Sequence, residues 1–292
     1  MLKNIFLVVS LIFILGCEES LPPIDFNTAN TGDWTYAMVN EADVPAAQEK
    51  TIVIEDLTGV RCSNCPKAAE TAKNIKDLYK DRVAVIGVYP QEPKNLTTPY
   101  TGFPDLRTEY AQLIASNLYD FSNQLPGGGV NRRLFSGQAN LNVPFNSWLN
   151  SADIIKEETS LMNIDLKRTE ISEREFKIET NLVFTAKPIA NPFITILLLE
   201  DNIAHPQTST TGTVSDYVHQ HVLRTMYTPY NGSPIFNATT SISPDRGISA
   251  KKEWTLSIPE NVNVAEATVV VFVNYNEATN KEILQCKEIK LK

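Results

Sequence analysis

The chain has 292 residues, which is enough for about two domains of ordinary size. Its hydrophobic content of 42% and charged content of 21% fit a globular protein. A formal net charge of −8 and an isoelectric point near 5.1 argue against nucleic-acid binding, and no basic run changes that conclusion.

Residues 1–16 have the pattern of an export signal. Lys3 precedes an apolar core that is shorter than the roughly 20 residues needed to span a bilayer. The core ends in Gly16 and Cys17, which resemble a bacterial lipobox with Cys17 as the lipidated residue. We therefore predict a signal peptide, 1–16, and membrane attachment through Cys17. The alternative is a plain secretory signal with a chance cysteine.

Residues 17–49 form a predicted tether. Turn-forming residues such as Pro22 and Pro45 interrupt any long helical or strand period. Trp34 and Tyr36 are expected to dock onto the folded body, and a disordered linker is the competing interpretation.

The stretch from Thr51 to Leu78 predicts a strand, a tight turn, a Cys-x-x-Cys motif and a helix. The apolar run 51–57 leads to Cys62 and Cys65, and apolar residues then recur on one face of a helix. A cysteine at the start of a helix lies against unpaired backbone N–H groups, which favour its thiolate. The pattern is typical of a redox module, in which Cys62, expected to be the more exposed, attacks and Cys65 resolves.

An apolar strand over 82–89 would complete a βαβ unit beside the motif, and a second helix is predicted over 105–119. In thioredoxin-like folds a cis-proline opens the strand that faces the Cys-x-x-Cys, and Pro126 is the candidate here. An ordinary trans-proline in a glycine-rich loop is the alternative. A helix over 146–158 closes this predicted domain, 50–158. We predict Cys62, Cys65 and Pro126 as its catalytic residues.

Strands dominate the predicted second domain, 159–292. Residues 176–184 alternate in polarity, as a half-buried strand does, whereas 193–199 and 268–273 are apolar on both faces. Because a sandwich strand normally has one polar face, we expect the first domain to cover this sheet. About seven strands, ending in a hairpin over 267–291, suit an immunoglobulin-like sandwich.

Three further residues carry possible chemistry. Cys286 lies in the last predicted strand and is interpreted as a buried apolar thiol, with a disulfide to the first domain as the alternative. His219 and His221 would share one face of a strand, which makes them candidate metal ligands. An exposed strand or loop without metal is the competing interpretation.

Several motifs together resemble a known family. The quoted segments are Glu55-Asp56-Leu57-Thr58-Gly59, Cys62-Ser63-Asn64-Cys65-Pro66, Gly129-Val130-Asn131-Arg132 and His219-Gln220-His221-Val222-Leu223-Arg224. They are similar to the outer-membrane-protein-28-related lipoproteins of Bacteroidota. The resemblance implies a thioredoxin-like α/β domain followed by an all-β, immunoglobulin-like sandwich. It also implies an outer-membrane address, either periplasmic or surface-exposed.

The cysteine pair leaves three interpretations. A zinc site needs four ligands, and no second cysteine pair or nearby histidine supplies them in sequence. Thiol–disulfide exchange on exported proteins is the favoured function. The alternative is a non-catalytic surface protein, an adhesin or partner-binding module, in which the pair is a structural disulfide. Either function implies an unknown protein partner, and no cofactor is predicted.

Overall fold

The computed structural model describes residues 33–121, 124–236 and 242–292. The predicted signal peptide, Cys17 and the first part of the tether lie outside these residues. The helices are α1 (Cys65–Tyr79), α2 (Lys94–Thr97), α3 (Glu109–Leu118) and α4 (Trp148–Ile155). Within the described ranges, none of the helices is long and apolar enough to cross a membrane.

Sixteen strands are present in the described residues. They are β1 (Thr35–Met38), β2 (Ile52–Leu57), β3 (Val83–Val88), β4 (Gly127–Val130), β5 (Met162–Ser172), β6 (Glu175–Phe184), β7 (Pro192–Glu200), β8 (Ile203–Ala204), β9 (Gln207–Ser209), β10 (Gly212–Val214), β11 (Val218–His219), β12 (Val222–Met226), β13 (Ser233–Pro234), β14 (Ile248–Ser257), β15 (Ala267–Tyr275) and β16 (Ile283–Lys290). The fold is therefore mixed α/β and rich in strands.

The larger sheet contains strands from both halves of the chain. Its order is β16-β15-β7-β12-β3-β2-β4, and the short strand β13 also pairs with β7. Strands β2 and β3 are parallel and are connected through α1, whereas β4 runs antiparallel to β2. The two halves meet where Val222 of β12 pairs with Gly87 of β3. Strands on either side of residue 158 are thus neighbours in one sheet.

The local sequence explains the strand–helix–strand unit. All residues of β2 and β3 are buried, as the continuous apolar runs predict. Helix α1 begins at Cys65, carries Pro66 in its first turn and buries Ala68, Ala72 and Ile75. These side chains pack in one cluster with residues of β2 and β3. The predicted strand, helix and second strand are confirmed.

Both faces of β7 and β15 are covered. On one face Leu197, Leu199 and Phe272 pack in a cluster with residues of α3, which lies within 50–158. On the other face Ile196 and Val271 pack against residues of the smaller sheet. The prediction that the first half covers the apolar outer face is therefore confirmed.

The second sheet includes part of the predicted tether. Its order is β1-β14-β6-β5. Beside β1, the Trp34 ring meets Trp254 edge-on, with centroids 6.2 Å apart. The Tyr36 hydroxyl donates a hydrogen bond of 2.6 Å to the Ile235 carbonyl. The predicted docking of both aromatic residues is confirmed, so a disordered linker is wrong for this part.

The last strand closes the large sheet against its beginning. The Ile283 amide donates to the Asn131 carbonyl at 2.8 Å, just beyond β4. The Thr51 hydroxyl donates to the Cys286 carbonyl at 2.9 Å, just before β2. The sheet thus curls around α3 until β16 approaches the β2–β4 edge.

Candidate functional site

Cys62 and Cys65 form a disulfide at the start of α1. Their Cα atoms are 5.4 Å apart, and the Cys62 amide donates to the Gly59 carbonyl at 3.0 Å in the preceding turn. Each cysteine is only 2% exposed. The prediction that Cys62 is the more exposed of the two is therefore wrong.

Two segments cover the turn that carries Cys62. The Gln207 side-chain amide donates to the Cys62 carbonyl at 3.0 Å and to the Gly59 carbonyl at 3.2 Å. Arg61 donates to the Thr98 carbonyl at 2.8 Å, and its guanidinium lies over the Tyr100 ring at 4.1 Å. Gln207 comes from the second half of the chain, and nothing in its local sequence indicated this contact.

Pro126 follows a cis peptide bond, as predicted, and a trans bond at this position is wrong. It immediately precedes β4, whose Gly127 pairs with Leu57 of β2. A side chain at Gly59 would come within 3.0 Å of Leu125 Cδ1, so the cis bond lies beside the turn that leads to Cys62. The Glu92–Pro93 bond is also cis, which the sequence analysis did not anticipate.

A cavity of about 710 Å³ lies beside the disulfide, between α1 and residues 217–221. Asp56 and Cys65 line it, whereas Cys62 does not. Lys73 and Asp77 of α1 form part of its rim, and Tyr89 and His219 lie in its wall. The cavity therefore connects one end of the disulfide with a group of titratable side chains.

Asp56 is the residue of this site that sequence reasoning missed. It is 3% exposed, and its Oδ1 has no hydrogen-bond partner in the described structure. Burial raises its pKa from 3.8 to about 8, because the apolar surroundings disfavour the charged carboxylate. The available signal was an acidic residue near the end of a fully buried strand.

The preceding residue, Glu55, faces the opposite side of β2. Arg132 holds its carboxylate through bonds of 2.8 Å and 2.6 Å, and the Tyr119 hydroxyl donates a third of 2.5 Å. All three side chains are buried. The Arg132 guanidinium also lies 4.9 Å from the Phe272 ring centroid, which links this cluster to β15. Glu55 and Arg132 therefore form a buried ion pair with a structural role.

His219 and His221 do not lie in one strand, so the predicted shared face is wrong. His219 ends β11 and is buried, with its Nδ1 2.8 Å from the Tyr89 hydroxyl. Burial lowers its pKa to about 4, which keeps the ring neutral near pH 7. His221 lies in a left-handed turn before β12, with its Nδ1 3.0 Å from Asp201 Oδ1. Among the described residues, no group of three or more His, Cys, Asp or Glu could hold a metal ion.

Cys286 is a free, buried thiol with 2% of its surface exposed. Burial raises its pKa well above the ordinary value, so the thiol stays protonated. The predicted apolar role is confirmed, and the alternative disulfide to the first domain is wrong.

Comparison with known proteins places this geometry in context. The family model described as outer membrane protein Omp28 matches residues 115–292. The structure of HBP35 of Porphyromonas gingivalis is similar, with 21% sequence identity and a TM-score of 0.64. The alignment covers 85% of this chain and 77% of the HBP35 chain. That likeness shows a shared overall fold.

A domain of the outer membrane lipoprotein Omp28 from Porphyromonas gingivalis also aligns. The alignment covers 46% of this chain and 89% of that domain, with 13% identity and a TM-score of 0.30. No curated protein matches the sequence.

Proposed function

Because the chain belongs to the family of outer membrane protein Omp28, we propose that it is an outer-membrane lipoprotein with a redox-active cysteine pair. Cys17 carries the lipid that holds it to the membrane, and the Cys62–Cys65 pair exchanges disulfides with exported proteins. Residues 50–158 act as a thioredoxin-like domain, and residues 159–292 as an immunoglobulin-like sandwich. Nucleic acid is not a partner of this acidic chain.

Asp56 is the observation that carries the redox proposal. Thiol–disulfide exchange needs a group that takes a proton from an attacking thiol and returns one to a leaving thiolate. A carboxyl with a pKa of about 8 can do both near neutral pH, and Asp56 lines the same cavity as Cys65. Leaving a buried carboxyl oxygen without a partner lowers stability, and a proton-transfer role accounts for its presence.

The surroundings of the pair support the same function. Cys65 begins α1, where unpaired N–H groups stabilise a thiolate once the disulfide is reduced. The cis-Pro126 peptide opens β4, which is the antiparallel neighbour of the strand that leads to the motif. Pro126 is therefore proposed to position a partner's backbone beside the cysteines.

The reduction potential of the Cys62–Cys65 pair tests this proposal in the full chain. We expect a value above about −300 mV, together with turnover of an oxidised protein substrate. Cys62→Ser and Cys65→Ser should each abolish turnover, whereas Cys286→Ala, which changes a thiol outside the pair, should retain it. Asp56→Asn should slow turnover near pH 7 without abolishing the disulfide.

One observation favours a second candidate function. Both cysteines are 2% exposed, and the Gln207 side-chain amide donates hydrogen bonds to the carbonyls of Gly59 and Cys62 in the turn before α1. A partner-binding surface lipoprotein would use such a covered disulfide only as a structural bridge. A potential well below about −300 mV, with no turnover, would assign the pair to that role.

A further inference from the structure

The two ends of the disulfide have different surroundings. The Cys62 end is covered by the segments that contain Thr98, Tyr100 and Gln207, which bond to the backbone or side chains of its turn. The Cys65 end lines the 710 Å³ cavity. A redox partner that enters the cavity would thus meet Cys65 rather than Cys62.

The size and rim of the cavity suit a small polar molecule. Its volume of about 710 Å³ lies in the usual range for small-molecule sites, about 300–1,000 Å³, and is too small for a folded domain. The rim is open to solvent, since the side chains of Lys73 and Asp77 are 71% and 57% exposed. Lys76 and Glu70 also line the cavity, so the lining carries charges of both signs, as a zwitterion does. Lys73 is paired with Asp77, and Lys76 lies 3.8 Å from Glu288.

The interior offers an unused polar group. Asp56 is only 3% exposed, and its Oδ1 has no hydrogen-bond partner in the described structure. The hydroxyl of Tyr89 is already bonded to His219. Asp56 is therefore the interior group with spare hydrogen-bonding capacity that a ligand can satisfy.

We propose that this cavity binds a low-molecular-weight thiol, such as a zwitterionic amino-acid thiol, and presents it to Cys65. The inference rests on the proposed exchange function and assigns one of its two half-reactions. The small thiol restores the reduced state of the pair through Cys65, which lines the cavity.

The chemistry balances with two molecules of thiol. The thiolate of the first attacks Cys65 Sγ, the Cys62–Cys65 bond breaks, and Cys62 leaves as a thiolate and takes a proton. The second thiolate attacks the ligand sulfur of the mixed disulfide and releases Cys65, which takes the second proton. Two thiols lose two electrons and become one small disulfide, while the cysteine pair gains those electrons. Asp56, which lines the same cavity as Cys65, takes a proton from an incoming thiol and returns one to the Cys65 thiolate.

Filling the cavity gives the first test. Ala69 lines the cavity on the half-buried side of α1, and Ala69→Trp would occupy its mouth. Asn74→Trp adds the same ring at an exposed α1 position that does not line the cavity. Reduction of the pair is followed by alkylation and mass spectrometry, with free cysteine as one reductant and reduced thioredoxin as the other.

We expect Ala69→Trp to slow reduction by free cysteine by at least about tenfold. Asn74→Trp should react with free cysteine like the unsubstituted chain. Reduced thioredoxin should act on all three chains at rates within about twofold, because a folded domain is too large to enter the cavity that Ala69→Trp fills.

The site of the mixed disulfide gives a second test that does not depend on a bulky substitution. Full chains carrying Cys286→Ala and either Cys62→Ser or Cys65→Ser are incubated with cystine, and the adduct is located by peptide mapping. Cys65, retained in the Cys62→Ser chain, should gain the adduct at least about tenfold faster than Cys62 in the other chain.

Two outcomes would overturn the inference while leaving the exchange function intact. One is reduction by free cysteine at an equal rate in the Ala69→Trp chain, and the other is faster labelling of Cys62 by cystine. If neither free cysteine nor thioredoxin reduces the pair in any chain, the exchange function itself fails.

Discussion

Glu55 and Asp56 are adjacent carboxylates of β2, yet the two faces of the strand treat them differently. On the α3 side, Glu55 accepts hydrogen bonds from Arg132 and Tyr119. On the α1 side, Asp56 lines a cavity and keeps an unpaired oxygen. Both residues are at most 3% exposed. Burial alone therefore does not distinguish the structural carboxylate from the one that we propose to be reactive, whereas their hydrogen-bond partners differ.

The face of β2 that carries Glu55 also joins the two halves of the chain. Besides holding Glu55, Arg132 donates to the Tyr230 carbonyl at 3.3 Å and lies over Phe272. A buried ion pair of this kind becomes costly when one partner is removed, because the other charge stays buried. On the other face, burial without a cation raises the pKa of Asp56 to about 8 and leaves its Oδ1 without a partner, which is why we assign chemistry to it.

Among these substitutions, replacing Arg132 should have the largest effect on the free energy of unfolding. Arg132→Ala leaves Glu55 buried without its cation, and we expect the free energy of unfolding to fall by about 3–5 kcal/mol. Denaturant unfolding measures the loss. Arg168→Ala, whose guanidinium bonds to the exposed Lys290 carbonyl, should change stability by less than about 0.5 kcal/mol. Similar losses of stability in the two variants would show that the Glu55–Arg132 pair does not stabilise the fold.

Asp56 should make stability fall as pH rises. Its pKa is 3.8 when unshifted and about 8 in the fold, so between these values the folded chain keeps a proton that the unfolded chain releases. The stabilisation is complete below about pH 4 and is lost toward pH 8, with a slope of up to about 1.4 kcal/mol per pH unit.

Asp56→Asn should remove that slope, so that its stability relative to the unsubstituted chain rises across this window by a few kcal/mol. Denaturant unfolding at several pH values tests it. The exposed Asp165 gives the control variant Asp165→Asn, which should follow the unsubstituted chain. An unchanged slope in Asp56→Asn would mean that this carboxyl is not held neutral in the fold.

The same substitution on both faces sharpens the comparison. Tyr119→Phe removes a hydrogen bond to a charged carboxylate and should cost about 1.5–3 kcal/mol of unfolding free energy. Tyr89→Phe removes a bond to a neutral imidazole and should cost about 0.5–1.5 kcal/mol. Thermal or denaturant unfolding ranks the two, and the reverse order would contradict the assignment of charge to the α3 side.

The smallest effect concerns access to the disulfide. Gln207→Met keeps the side-chain length but removes the donor to the Cys62 and Gly59 carbonyls. Losing about 1 kcal/mol of this restraint should speed reduction by thioredoxin by about fivefold. Gln138→Met, which changes a glutamine that bonds to Ser151, should leave the rate unaltered. A slower rate in Gln207→Met would show that Gln207 does not restrict access.

Local periodicity explains why much of the fold could be predicted. The continuous apolar runs of β2 and β3 and the spacing of Ala68, Ala72 and Ile75 depend on neighbouring residues only. The apolar faces of β7 and β15 even indicated a covering layer, which α3 provides. Such features follow from burial on one or two faces of a single element.

The site depended on contacts between distant residues. The turn that carries Cys62 is bonded to Gln207, which is 145 positions away in the chain. The separation of His219 from His221 results from a left-handed turn that strand spacing does not reveal. The different roles of Glu55 and Asp56 required knowing which face of β2 receives Arg132, which no local pattern shows.

The closure of the large sheet by β16 has a consequence for biosynthesis. Asn131 donates to the Ile283 carbonyl across 152 positions, and the Thr51 hydroxyl reaches Cys286 across 235. Chains grow from the N-terminus, so these groups are made long before their partners exist. We therefore expect the first half of the chain to keep an incomplete sheet edge until the final strand is available to it. Contacts of such long range slow folding, so a holdase that shields this edge should increase the yield of folded protein.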